Sequence, residues 1–145
     1  MSKKEKQEKK SKKPSWFMRE AITLAKKLVR LETGHCEKCG REDDPNAKRT
    51  LMQGSHIIPV GAAPLLAANT KNILCLCLNC HKLGNNAWHA DPLSNAEWFH
   101  KNYPGLYQEL LELKETTKEA DWEPLYWDLK EKVDAIEEKT KYESY

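Results

Sequence analysis

The sequence predicts a small α+β fold: a zinc-stapled β-β-α core preceded by one helix and followed by more. Two observations carry that prediction. Two Cys-x-x-Cys pairs, "CEKC" at Cys36 and Cys39 and "CLNC" at Cys77 and Cys80, bracket two extended apolar runs, and the flanking segments repeat apolar residues at helical spacing. A chain of 145 residues has room for one small domain. Its expected parts are a disordered basic arm at 1–14, a helix at 15–33, the stapled core at 34–93, and a helical extension of the same domain at 94–145.

The opening "MSKKEKQEKKSKK" holds seven lysines and two glutamates. It suits a solubilising tail, and equally an arm that contacts phosphates. After Pro14, "SWFMREAITLAKKLVRLETG" places apolar residues at 17, 18, 21, 24, 25, 28 and 31, the period of an amphipathic helix. Ser15 is the expected N-cap and Gly34 the exit. Lys26, Lys27 and Arg30 fall on its polar side, facing water or DNA.

Beyond the first cysteine pair, "TLMQGSHIIPVG" and "TKNILCLC" read as two strands joined by a long loop at about 61–69. A short helix is expected from near Asn79, ending by Gly84. Next, "SNAEWFHKNYPGLYQELLELK" suggests a Ser94–Glu97 capping box and a helix broken near Tyr103-Pro104 and resumed from about Gly105. A last helix is expected from Pro124 to about Thr140, burying Leu125, Leu129, Val133 and Ile136. Trp98, Phe99, Tyr107, Trp122, Tyr126 and Trp127 are expected as packing anchors.

Composition narrows the function classes. With 39% hydrophobic and 32% charged residues the chain is globular in type, and no apolar run approaches membrane-spanning length. No secretory apolar segment follows the first lysines, so the expected setting is intracellular, in the cytoplasm. The net charge is only +2, but residues 109–145 hold twelve acids against six lysines. Attraction to a polyanion should therefore come from the front and middle of the chain.

The cysteine pairs are the strongest spacing signal. A two-residue gap lets both thiolates turn toward one ion, so Cys36, Cys39, Cys77 and Cys80 are expected to close a tetrahedral structural zinc site. Disulfides fit poorly with the missing secretory signal and the odd count of five cysteines. Cys75 would share a strand face with Cys77, so register alone leaves it open as a ligand; the paired knuckle favours Cys77, with Cys75 a small buried hydrophobe.

Residues 34–90 resemble the zinc-knuckled branch of the HNH endonuclease superfamily. The resemblance rests on "SHIIP", on "NILCLCLNCH" with Asn72 five residues before Cys77, and on His81 directly after Cys80. The cysteine knuckles around a lone histidine also resemble small phage recombination nucleases of the NinG/Rap group, which implies a phage-encoded protein acting in DNA recombination within a bacterial host. The resemblance implies a ββα-metal core that hydrolyses DNA phosphodiester bonds. It makes His56 the general base, Asn72 the residue that orients it by tethering loop backbone or imidazole, and His81 a ligand of a catalytic divalent ion, Mg2+, Mn2+ or Ni2+.

One departure stands out. Many members carry an acidic metal ligand just before the base, and this chain has Ser55, a weak neutral donor. His89 is the nearest replacement. Along one continuous helix it would lie about 12 Å from His81, but "GNN" at 84–86 should end the helix and let the chain fold back. Asp91 is a lesser candidate. His35 and His100 are expected on the surface or supporting a knuckle. Lys48, Arg49, Lys71 and Lys82 flank the site and are expected to hold the DNA backbone. Monomer and homodimer both fit. The competing class is a non-catalytic zinc module binding nucleic acid or protein; a zinc nucleobase deaminase is disfavoured because the chain lacks a His-x-Glu element and has Leu76 before Cys77.

Overall fold

The structure, a computed structural model, describes residues 13–143. The expected basic arm thus lies outside the described residues apart from its last two positions. The first helix, α1 (Pro14–Thr33), begins one residue earlier than expected, with Lys13 as N-cap and no side-chain cap. Proline lacks the N–H that a cap would satisfy and has its φ preset for a first helical position, so Ser15 falls inside the first turn. Gly34 ends the helix as expected: its φ of 75° is left-handed, and its N–H donates to the Arg30 carbonyl at 2.9 Å. The buried stripe is Phe17, Ala21, Ala25, Leu28 and Val29, while Leu31 faces solvent at 38% exposure.

Two strands, β1 (Met52–His56) and β2 (Ile73–Cys77), pair antiparallel with Gly54 opposite Cys75 and His56 opposite Ile73. Every residue of β2 is buried. That suits an all-apolar run covered on both faces. α1 packs on this hairpin, and the approach explains Gly54: a Cβ there would lie 2.6 Å from Lys26 Cβ and 2.9 Å from Lys26 Cα. No larger residue fits unless helix and strand separate. The loop between the strands is pinned by Ile58, Ala63 and Leu66, which form a small apolar cluster with Leu110 of the C-terminal region.

After β2 comes a short helical segment, Asn79–Leu83, wound wider than an α-helix, with the Gly84 N–H donating to the Asn79 carbonyl at 2.8 Å. Three helices follow: α2 (Pro92–Asn102), α3 (Leu106–Thr116) and α4 (Trp122–Glu143). The expected Ser94 cap is displaced. Proline at the first helical position starts α2 at Pro92, and the Asp91 side chain caps it by accepting from the Ser94 N–H at 3.1 Å. The break at Tyr103-Pro104 and the restart after Gly105 stand where the sequence put them.

α4 lies along α1 and closes the core. Tyr126, Leu129 and Val133 pack with Phe17, Ala21, Ala25 and Leu28, and Leu125 and Ile136 border them half-buried. Each large apolar side chain so buried contributes about 1.5–3 kcal/mol. The Trp16, Phe17 and Tyr126 rings meet edge-on with centroids 5.1–5.6 Å apart, and Lys27 forms an ion pair with Glu137. Phe99 and Tyr126 are buried anchors and Trp98 and Trp122 are half-buried, but Tyr107 and Trp127 are 41% and 44% exposed. Those two sit on outer helix faces, each against a neighbouring ring. No helix among the described residues is long and apolar enough to cross a membrane.

Candidate functional site

The four expected cysteines converge. The sulfurs of Cys36, Cys39, Cys77 and Cys80 all lie within 4.8 Å of one another, with Cys39 Sγ and Cys77 Sγ 3.7 Å apart. Tetrahedral zinc, with Zn–S of about 2.3 Å, holds its sulfurs about 3.8 Å from each other, so the cluster fits a metal such as zinc. Each knuckle has the same internal turn. The Cys39 N–H points to Cys36 Sγ at 3.5 Å and the Cys80 N–H to Cys77 Sγ at 3.4 Å. Burial pushes the Cys36 thiol up, but backbone N–H groups of Cys39, Cys77 and Lys38 overcome this and bring it down to about 7. Such donors favour a thiolate.

Cys75 lies outside the cluster. It is fully buried, and burial followed by the nearby Glu37 charge pushes its thiol up to about 12. Glu37, between the first two cysteines, accepts from the Cys75 N–H at 2.6 Å and from the Tyr103 hydroxyl at 3.1 Å, while its own N–H donates to the Cys75 carbonyl at 2.8 Å. The first knuckle is thereby joined to β2 and to the end of α2.

Beside the cluster is an open cleft of about 480 Å³ whose lining includes Lys26, His56, His81, Lys82, Trp88 and His89. His56 ends β1. Its Nε2–H donates to the Ala67 carbonyl at 2.7 Å, which fixes the tautomer and leaves Nδ1 with the lone pair. Burial, followed by the positive charge of Lys26, lowers the His56 pKa despite the opposing pull of that carbonyl.

Asn72 is fully buried and engages loop backbone, not the imidazole. Its Oδ1 accepts from the Ile58 N–H at 2.8 Å, and its Nδ2 donates to the carbonyls of Ile58 at 3.0 Å and Leu66 at 3.4 Å. It thus clamps the two ends of the loop that delivers Ala67 to His56.

The chain does fold back after His81. The Trp88 N–H donates to the Cys80 carbonyl at 2.7 Å and the His89 N–H to the His81 carbonyl at 3.2 Å. The imidazoles meet with Nε2 to Nε2 at 2.9 Å, and His81 Nδ1–H donates to Gln53 Oε1 at 2.6 Å. Two nitrogens each about 2.1 Å from one ion, at a right angle, would be about 3 Å apart, so the pair fits two neighbouring ligands of a divalent ion. Gln53 would orient the first of them. Burial, then repulsion from His89, Lys82 and Lys26, brings the His81 pKa down to about 4, so its ring is neutral near pH 7.

The other expected residues divide. Lys82 lines the cleft; Lys48 and Arg49 are exposed in the stretch before β1 and do not line it, and Lys71 pairs with Glu109 at 2.6 Å. Ser55 is buried at 2% exposure and outside the cleft lining, and Asp91 serves as a helix cap. His35 Nδ1–H donates to the Thr33 carbonyl at 2.9 Å beside the first knuckle, and His100 stacks edge-on with Tyr107. Gln53 and Ala67 were not singled out in sequence, and Lys26 was expected only to face water or DNA. Only the glycine at 54 hints at one of them, since a glycine inside a strand marks a close backbone approach. No protein-family model, no curated protein and no solved structure matches this chain.

Proposed function

We propose that this chain is a metal-dependent DNA endonuclease of the HNH type, its hairpin and the Asn79–Leu83 segment forming a ββα-metal core. The observation that carries this is the convergence on one cleft of His56, with its tautomer fixed by Ala67, and the His81–His89 pair. His56 Nδ1 would take a proton from a water as the water oxygen bonds to phosphorus, and the 3′-oxygen would leave with a proton from solvent. Its lowered pKa keeps this base neutral and available near pH 7. Asn72 would act at a distance, by holding the loop that orients the ring. His81 and His89 would hold Mg2+, Mn2+ or Ni2+, which when bound supplies positive charge for a nonbridging oxygen and the leaving oxygen. The four cysteines would hold a separate structural zinc. By resemblance the products are a 5′-phosphate and a 3′-hydroxyl, and a DNA groove would be met by the Asn79–Leu83 segment.

A second reading is a zinc-dependent module that binds nucleic acid or protein without cutting. It is favoured by a cleft lining that contains no carboxylate. Incubating supercoiled plasmid and a labelled branched DNA with wild type and His56→Ala, with Mg2+, Mn2+ or Ni2+ added, separates the two. Metal-dependent nicking by wild type alone supports the nuclease. Equal or absent cutting by both proteins, with zinc bound and the fold intact, sinks it.

A further inference from the structure

Next to the cleft beside His56 is a second open cleft of about 360 Å³, whose lining shares Lys26, Gly54, His81 and Lys82 with the first and adds Arg30 and Gln53. Three cations thus face adjoining clefts: Lys26 and Arg30 from α1, and Lys82 from the segment after β2. None of the three has an ion pair with a carboxylate among the described residues, as is also true of the exposed Lys48 and Arg49. Lys26 and Arg30 are half-buried, and Lys82 is exposed at the cleft rim. Gathering like charges where water is partly excluded costs free energy, and an anion in the cleft offsets that cost.

We infer that Lys26, Arg30 and Lys82 form a rail for consecutive phosphates of one DNA strand, which runs along α1 from the His56–His89 cleft toward Arg30. The inference rests on the nuclease proposal for the nature of the anion, and goes beyond it by placing the strand against α1 and away from Lys48, Arg49 and Lys71. Three features carry it. Lys26 and Arg30 are one helical turn apart, a rise of about 6 Å, which is comparable to the step between neighbouring phosphates. The stem of Lys26 is held against Gly54, where no side chain intervenes, so its position is set by backbone packing. The two clefts share Lys26, Gly54, His81 and Lys82 in their linings, so a strand lying across both would pass from His56 toward Arg30. The desolvated Lys26 ammonium, its pKa lowered by burial and by Lys82, is consistent with a group awaiting a negative partner.

The test is the salt dependence of binding. A labelled duplex is titrated by fluorescence anisotropy with full-length, zinc-loaded protein in a His56→Ala background, over a series of KCl concentrations and without other divalent ions. Lys26→Gln and Arg30→Gln should each weaken binding on every sequence and flatten the plot of log K against log salt by about 1. Lys26→Arg and the distant Lys130→Gln should keep the parent slope. Parent slopes in both Lys26→Gln and Arg30→Gln overturn the rail, and Arg30→Gln decides alone if the Lys26 variant does not fold. Plasmid nicking by the His56-containing protein with no change in slope leaves the nuclease and removes the rail. Flattened slopes without nicking leave the rail and remove the nuclease.

Discussion

Replacing Asn72 with alanine should destabilise the fold more than any other polar substitution near the cleft. The amide makes two short bonds to Ile58, at 2.8 and 3.0 Å, and a longer one to Leu66 at 3.4 Å, all within a region closed to water. Alanine orphans the N–H and C=O of Ile58, and a buried unpaired polar group costs about 1–3 kcal/mol. The two together come to about 2–6 kcal/mol, and partial loop relaxation brings the expectation to about 2–4 kcal/mol. Against a total stability of about 5–15 kcal/mol that is a large share. At roughly 4 °C per kcal/mol for a chain of this size, Tm should fall by about 8–16 °C. Scanning calorimetry with zinc in small excess reads this directly, and urea melting at unchanged slope checks that the same surface is exposed on unfolding. A Tm within about 2 °C of wild type would refute the reasoning, because the Ile58 and Leu66 groups would then have partners other than Asn72.

Two further outcomes follow from the same geometry. If the four thiols hold zinc as proposed, Cys77→Ser, which removes one of them at the end of β2, should lower bound zinc from one per chain to a small fraction, with loss of near-UV circular dichroism; elemental analysis that still finds one zinc per chain would reassign the site. For the proposed cutting reaction, the His56 pKa lies below the ordinary imidazole value of about 6.5. The base form is lost as pH falls through that lowered value, so the midpoint of the acid-side decline in kcat/KM should lie below 6.5, and a midpoint at or above 6.5 would contradict it.

What the sequence disclosed was whatever depends on neighbours along the chain. The Cys-x-x-Cys gaps set each knuckle locally, the apolar period set α1 and α4, and the glycine and asparagines after Leu83 announced the return that brings His89 to His81. The caps were misplaced by two and three residues because Pro14 and Pro92 each took the first helical position, which outranked Ser15 and Ser94. The support around the cleft was hidden for a different reason. Ala67 acts through its carbonyl, which any residue possesses; Gln53 meets His81 from 28 positions away; and the sequence left Lys26 facing water or DNA, with nothing to say that Gly54 brings the strand beneath it. Residue type at a position cannot report contacts made by backbone atoms or by the approach of separate elements.

The return of the chain from His81 to His89 has a consequence for how such a site can vary. The pair is held by two backbone bonds, Trp88 to Cys80 and His89 to His81, and by the buried Ala87, while the turn between, including Leu83 and Asn85, is exposed. Residues could be added or lost at the tip near Asn85 without disturbing either bond. The spacing of the two histidines along the chain is therefore free to drift while their spacing in space is not. A pattern written with a fixed gap between them would describe this chain and pass over others built on the same hinge.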